Sequence, residues 1–450
     1  MHLKDFLFTP IVLVLIYLLA YFLRPTLTSN LTKKYFVPAL TFKIIGAISV
    51  GLIYHYFYKY GDTLRYHFFS EIFHTTFWDD AYTGIKLFFT PYDSTNYSVS
   101  YVLTDNYFYK RDVGGFFMLK VSALLGLFNM HSYYAISCLF AFISFFGLWK
   151  FYQVVIEIYP RLYKQAFIAI FCFPSVIFWG SGILKDTITL SALCWATYCC
   201  YELFIQKRLS ILNVIILLVS AWILIILKIY ILICFIPAII YWIVYTHLNK
   251  VKNPVLRALI APFVLSVFVL SAYVLVTNIS KYNEKYSLEN IEDTMRITAN
   301  WITYTSGDSG SAYSLGDNFE LTLSNIITKL PAGINVTLFR PYIWEIKNSV
   351  MLFASLESML LLFFTIYVLY KTRVINFFRI VYKNPFPKFL LIYSLTFSFA
   401  VGITTYNFGT LVRYKIPAMP FYLLLLFLVL HVHNERKSER ANELLSDKIQ

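Results

Sequence analysis

The sequence predicts an all-α, polytopic transmembrane bundle of about eleven spans, with interfacial helices in two long external loops. Three observations predict it. Of the 450 residues 59% are hydrophobic and 20% aromatic, and only 14% are charged, against roughly a quarter in soluble domains. The apolar residues fall in blocks of about 17–25, the length a helix needs to cross a ~30 Å hydrocarbon layer. Lys and Arg collect between those blocks in a pattern that fits one membrane face. This composition excludes a soluble globular enzyme. The net charge of +14, from 38 Lys+Arg against 24 Asp+Glu, reads as topology; no basic patch interleaved with aromatics points to nucleic acid as a partner.

The elements follow in order. The first block, at 6–23, starts with little positive charge and has no small-residue cleavage pattern before Arg24, so an uncleaved anchor helix and cytoplasmic turn are expected over 1–35. Further spans are expected at 36–58, 132–155, 165–182, 187–206, 209–227, 229–247, 257–277, 348–370, 388–404 and 416–433. Arg24, Lys33, Lys34, Arg161, Lys164, Lys207, Arg208, Lys250, Lys252, Arg257 and the five basic residues of 371–388 mark the cytoplasmic side, as do Arg436, Lys437 and Arg440 of the tail at 434–450. The two polar segments, 59–113 and 278–347, mix acids with bases and fall outside.

Parity makes two demands. The stretch 114–128 is short and holds Lys120, so it lies in the interface rather than across the bilayer. The block 209–246 has both flanks cytoplasmic, so it is two helices turning near Lys228 at the external face, where a lysine at a helix end reaches water or a phosphate. The six cysteines all lie in apolar blocks without metal spacing, and buried thiols are expected.

Four polar clusters fall on the external face. In Tyr60-Gly61-Asp62-Thr63-Leu64-Arg65-Tyr66-His67, Gly61 offers a turn and Asp62 a carboxylate for general-base work or cation binding, with Arg65 and His67 in support. A helix cap followed by a charged interfacial turn accounts for the same residues. In the stretch from Pro174 to Thr187, Asp186 and Thr187 cap a helix whose free N–H groups suit an anion, with Lys185 beside it; a tight hairpin with an ordinary cap is the alternative. Lys228-Ile229-Tyr230 is the third cluster, which a snorkelling lysine also explains. The fourth joins Arg340-Pro341-Tyr342-Ile343-Trp344-Glu345 to the run Tyr406-Asn407-Phe408-Gly409-Thr410-Leu411-Val412-Arg413-Tyr414-Lys415. Arginines there suit phosphate, and the aromatics suit the headgroup level, as they would in an aromatic belt. Together the clusters suggest an external cavity for an anionic, phosphate-bearing lipid. Walker, dinucleotide and HExxH motifs are absent.

The order of these features over roughly 36–247 resembles the GT-C class of polytopic glycosyltransferases, especially the protein O-mannosyltransferase-like and bacterial polyprenyl-phosphate-sugar transferase branches. The resemblance rests on Asp62 with His67 after the second span, on Pro174, Ser175, Phe178-Trp179 and Lys185-Asp186-Thr187 opening a later helix, and on Lys228 followed by Pro237. It implies a GT-C-like module at 36–247, with its first external loop at 59–131, and a second transmembrane module at 248–433. It further implies Asp62 as catalytic carboxylate, Asp186 as the second acidic position, and transfer from a polyprenyl-phosphate-linked sugar to a glycan or protein acceptor outside a bacterial cytoplasmic membrane. Lys185, Lys228, Arg340 and Arg413 would then bind the donor phosphate, with Trp344, Glu345, Tyr406 and Asn407 supporting them. Two departures stand out: Gly61 replaces the usual acid beside Asp62, and no DxD stands at Asp186, so dependence on a divalent cation is left open. A cell-envelope polysaccharide polymerase or ligase, resting more on Arg340 and Arg413, is one alternative. A non-enzymatic lipid-glycan flippase or transporter is the other, for which interrupted mid-membrane helices are expected.

Overall fold

The computed structural model describes residues 2–90, 112–248, 313, 323–347 and 349–446; among them there is no strand, and every regular element is a helix. Among the described residues eight helices are long and apolar enough to cross a membrane, which by helix length and composition makes the chain an integral membrane protein. The described chain divides into two compact units: Met1–Ile158 with Phe171–Cys199 and Ile211–Ile229, and Tyr159–Ile170 with Cys200–Ser210 and Tyr230–Gln450.

The first unit opens with α1 (Leu3–Leu27), whose buried Val12, Ile16 and Ala20 recur every four residues and form its one packed stripe. The rest of α1 leaves Leu3, Phe6, Leu7, Val14 and Phe22 exposed, a pattern stable in hydrocarbon and costly in water. Next, α2 (Lys33–Ile53) runs on through a π turn, Tyr54–Tyr58, and stops where Lys59 and Gly61 take positive φ angles of 57° and 143°. After that come α3 (Asp62–Asp79) and α4 (Ala81–Phe89), the latter capped by the Asp80 carboxylate, which accepts the Tyr82 N–H at 3.1 Å. They are followed by α5 (Val113–Gly126) and α6 (Tyr133–Ile158).

Close approach, not bulk, joins these helices. A methyl group added at Gly51 would stand 2.6 Å from the Tyr134 ring, and the Ser137 hydroxyl donates to the Ala47 carbonyl at 3.2 Å, so α2 and α6 meet almost backbone to side chain. The segment between them is held by a core that includes Tyr66, Phe73, Leu87, Phe116, Met118, Leu119, Tyr133 and Ile183.

The expected span at 165–182 is corrected by an interruption. Here α7 (Tyr163–Phe171) and α8 (Pro174–Trp179) are separated at Cys172 and Phe173, because Pro174 biases the preceding residue away from helix and lacks an N–H to continue the ladder. Then α9 (Lys185–Cys200) continues through a π turn, Tyr201–Ile205. The helix α10 (Ile211–Leu248) is 38 residues long, about twice what the hydrocarbon layer needs. It leaves helical geometry at Lys228, with φ −154° and ψ 75°, at the residue where the sequence demands a break. The expected span 257–277 lies outside the described residues. The stretch expected at 114–128 forms the 14-residue α5, too short to cross.

The second unit contains α11 (Leu323–Phe339), α12 (Ser349–Thr372), α13 (Val374–Lys383), α14 (Pro385–Thr405), α15 (Phe408–Tyr414) and α16 (Met419–Ser446). Its core stacks Trp242 on Phe389 at 5.0 Å, with Tyr201 5.9 Å from the same indole. Gly402 of α14 lies so near α11 that a Cβ there would be 2.1 Å from the Gly333 carbonyl oxygen. Of the six cysteines four are buried, and Cys172 and Cys234 are half-buried.

Candidate functional site

In the first unit several helix ends gather at the C-terminal end of α2. Gly61 packs on the Tyr54 ring, where a Cβ would stand 2.3 Å away, and Tyr54 in turn meets Trp179 edge to face at 6.3 Å. A Cβ at Gly182 would be 2.9 Å from Val50, so the loop leading to Asp186 lies against the same end of α2. The Thr63 and Tyr133 hydroxyls share a hydrogen bond of 2.7 Å that ties the start of α3 to the start of α6. The N-termini of α3, α5, α6 and α9 thus converge. A helix start carries a partial positive charge, although the α6 start is already capped by Ser132, which accepts the Ala135 N–H at 3.4 Å.

Asp62 is the first residue of α3 and half-buried, and Gly61 before it needs glycine's freedom at φ 143°. The Arg65 guanidinium stacks over the Tyr60 ring at 4.2 Å. His67 is not a partner of Asp62, since five residues along a helix turn its side chain about 140° away. Its Nε2 instead meets the His131 carbonyl at 2.9 Å, its ring stacks on His131 at 4.5 Å, and burial pushes it down to about 4. His131 is pushed lower still, first by burial and then by His67, and its Nε2 pairs with the Ser70 hydroxyl at 2.9 Å.

Two ion pairs flank the start of α9. Lys185 donates to both carboxylate oxygens of Asp112, at 2.9 and 2.7 Å, in a pair whose side chains are 16% and 35% exposed. Lys228, at the break in α10, pairs with Asp186, and these side chains are 7% and 0% exposed. The two pairs differ in kind. A half-exposed pair contributes at most about 1 kcal/mol, whereas stripping one partner from a buried pair costs roughly 3–5 kcal/mol. This corrects the expectation for Lys228: the break turns its side chain inward onto Asp186 rather than out to water. Gly114 closes the Lys185 pair from the side, for a Cβ there would lie 3.2 Å from the ammonium and 3.0 Å from the Ile226 carbonyl oxygen.

In the second unit the two strings of the fourth cluster come together. Arg340 lies over the Phe408 ring at 5.1 Å and the Tyr313 ring at 5.7 Å. The Ser358 hydroxyl donates to the Arg340 carbonyl at 3.1 Å and accepts from the buried Lys415 at 2.9 Å. The Arg340 guanidinium is held by its own loop, its Nε donating to the Glu345 carboxylate at 2.9 and 3.0 Å. Glu345 also accepts the Tyr342 N–H at 2.8 Å. Trp344 is exposed and stacks on Tyr342 at 4.8 Å. The Tyr313 N–H donates to the Tyr406 carbonyl at 3.0 Å, while Asn407 caps α15 by accepting the Gly409 N–H at 2.7 Å. Arg413 sits half-buried on α15.

Sequence reasoning missed Asp112, Lys43, His131 and the role of Lys415. Lys43 was findable as a lysine inside an apolar span. It is 2% exposed and donates to the Gly180 carbonyl, so it braces the loop that presents Lys185 and Asp186. Among the described residues no three His, Cys, Asp or Glu side chains are grouped to hold a metal ion. Comparison with protein-family models, with curated proteins and with solved structures returned no match, so the functional reading stands on this geometry alone.

Proposed function

We propose that the chain is an inverting membrane glycosyltransferase that moves a sugar from a polyprenyl-phosphate donor to a glycan or protein hydroxyl, working on the external face of a bacterial cytoplasmic membrane with its C-terminus inside. The observation that supports this is that the turn before Asp62, the first residue of α3, and the loop leading to Lys185 and Asp186 both pack against the C-terminal end of α2. The Asp62 carboxylate accepts the proton of the acceptor hydroxyl as its oxygen attacks the anomeric carbon. The bond to the phosphate oxygen breaks, its electron pair leaves with the phosphate, and the cations and converging helix starts meet the charge that develops. No step is routed through a divalent cation, because Asp112 and Asp186 are each held by a lysine.

Asp62→Asn should lower sugar transfer from a panel of polyprenyl-phosphate sugars by about a hundred- to ten-thousandfold while leaving the thermal unfolding midpoint unchanged. Near-normal turnover in that variant removes the mechanism. Two observations support other readings. The interruptions at Cys172–Phe173 and Lys228 are the discontinuous helices that suit a lipid-glycan flippase, for which Asp62→Asn should leave lipid translocation in proteoliposomes intact. The joining of the Arg340 loop to α15 favours a polysaccharide polymerase or ligase, for which Arg413→Gln should be more damaging than Asp62→Asn.

A further inference from the structure

Of the cations in the candidate sites, Lys228 is locked in a buried pair with Asp186, and Arg340 is held by Glu345 through both carboxylate oxygens. The Lys185–Asp112 pair combines two features that neither of the others does: its side chains are 16% and 35% exposed, against 7% and 0% for Lys228 and Asp186, and its partners sit on separate elements, whereas Arg340 and Glu345 share one loop. We infer that Lys185 is the cation that receives a lipid phosphate monoester, and that Asp112 is its exchangeable counter-ion, which the phosphate displaces. The inference rests on the glycosyltransferase reading only for the identity of the phosphate as a leaving group.

The exchange follows from charge and geometry. The sugar-linked donor is a diester of single charge, but the lipid phosphate released from it is a monoester with a charge of about −1.5 to −2 and three acceptor oxygens, so it is this product that displaces the single charge of Asp112 from the ammonium. Lys185 is the first residue of α9, so an anion on its ammonium also meets the positive end of the helix dipole. Gly114 lets the backbone of α5 come up against the ammonium, since even a Cβ there would lie only 3.2 Å from it. Lys43 fixes the loop behind, through the Gly180 carbonyl, so Lys185 is presented from a braced backbone. The consequence runs against intuition for a residue beside a binding site: neutralising Asp112 should improve binding, because it removes the competitor and leaves the ammonium free.

The test uses the full chain in phosphatidylcholine nanodiscs, titrated calorimetrically with farnesyl phosphate and separately with inorganic phosphate. Asp112→Asn should bind about fivefold tighter, the gain expected when a weak competing pair is removed. Lys185→Gln should bind at least about tenfold weaker, and the double variant should match Lys185→Gln. Asp112→Ser repeats the first arm with a different side chain, and thermal unfolding checks that each variant is folded. Saturation by farnesyl phosphate alone identifies a lipid phosphate, and saturation by both probes identifies phosphate as such; either supports the exchange. Unchanged or weaker binding in both Asp112 variants overturns it, as does failure of the unaltered protein to bind either probe. Tighter binding in the Asp112 variants without any sugar transfer would leave the exchange standing and remove the transferase. Sugar transfer with Asp112-independent binding would do the reverse.

Discussion

Lys185 and Asp186 are neighbours in sequence yet belong to pairs of different worth, and stability measurements should separate them. Lys228→Met leaves Asp186 buried without its ammonium and should cost roughly 3–5 kcal/mol, whereas Lys185→Gln should change stability by no more than about 1 kcal/mol. Tryptophan-monitored thermal unfolding of the two variants in one detergent makes the comparison, and equal losses would contradict the difference in burial. His67 gives a second measurement at this scale. Its folded value, about 4, lies below the ordinary 6.5, so the unfolded chain binds the extra proton. Stability is therefore complete above pH 6.5, falls as pH drops from 6.5 towards 4, and levels off below that. His67→Gln should flatten the slope of the unfolding midpoint across that window.

Helices in a membrane gain little from excluding apolar surface, since the lipid is as apolar as the partner helix, and they pack best where small residues let backbones approach. Gly402 shows the limit. An added methyl would stand 2.1 Å from the Gly333 carbonyl oxygen, a rigid backbone atom, whereas one at Gly333 would first meet the Phe399 ring at 3.1 Å. Gly402→Ala should therefore cost about 1–3 kcal/mol as α11 and α14 are forced apart, and Gly333→Ala clearly less; thermal unfolding of the pair decides it. The same reasoning explains why α2 tolerates no bulk at Gly46, where a Cβ would lie 1.9 Å from the Ile177 carbonyl oxygen. The short α8 is held there by contact rather than by its own six residues.

Across the whole molecule, the basic segments define a testable sidedness. Lys59, Lys207 and Arg373 are all exposed. In a chain freed of its own cysteines, Lys59→Cys should react with an impermeant maleimide in intact cells, while Lys207→Cys and Arg373→Cys should react only after permeabilisation. Labelling of all three from outside would sink the assigned sidedness. At this scale much was legible beforehand. Apolar run length predicted α1, α2, α6, α9, α12, α14 and α16 closely, because span length is set by hydrocarbon thickness. The break at Lys228 was legible because a single 38-residue helix is too long for one crossing. The interruption ahead of Pro174 was not, since the apolar pattern runs through it and only the backbone chemistry of proline breaks it. The span expected at 257–277 lies outside the described residues.

By itself the sequence determined what a one-dimensional pattern can encode: a helical membrane protein, the extents of most of its helices, and the residue types able to meet an anion. It named Asp62, Lys185, Asp186 and Lys228, but not who holds whom. Lys185 takes a partner 73 positions away and Lys228 one 42 positions away, and no local spacing rule reaches that far. Tertiary packing decided that Lys228 is sealed against Asp186 while Lys185 stays within reach of water, and that His67 turns from Asp62 towards His131. The physical reason is that a charge's role depends on its dielectric surroundings and nearest counter-charge, and both are set by which helix ends meet.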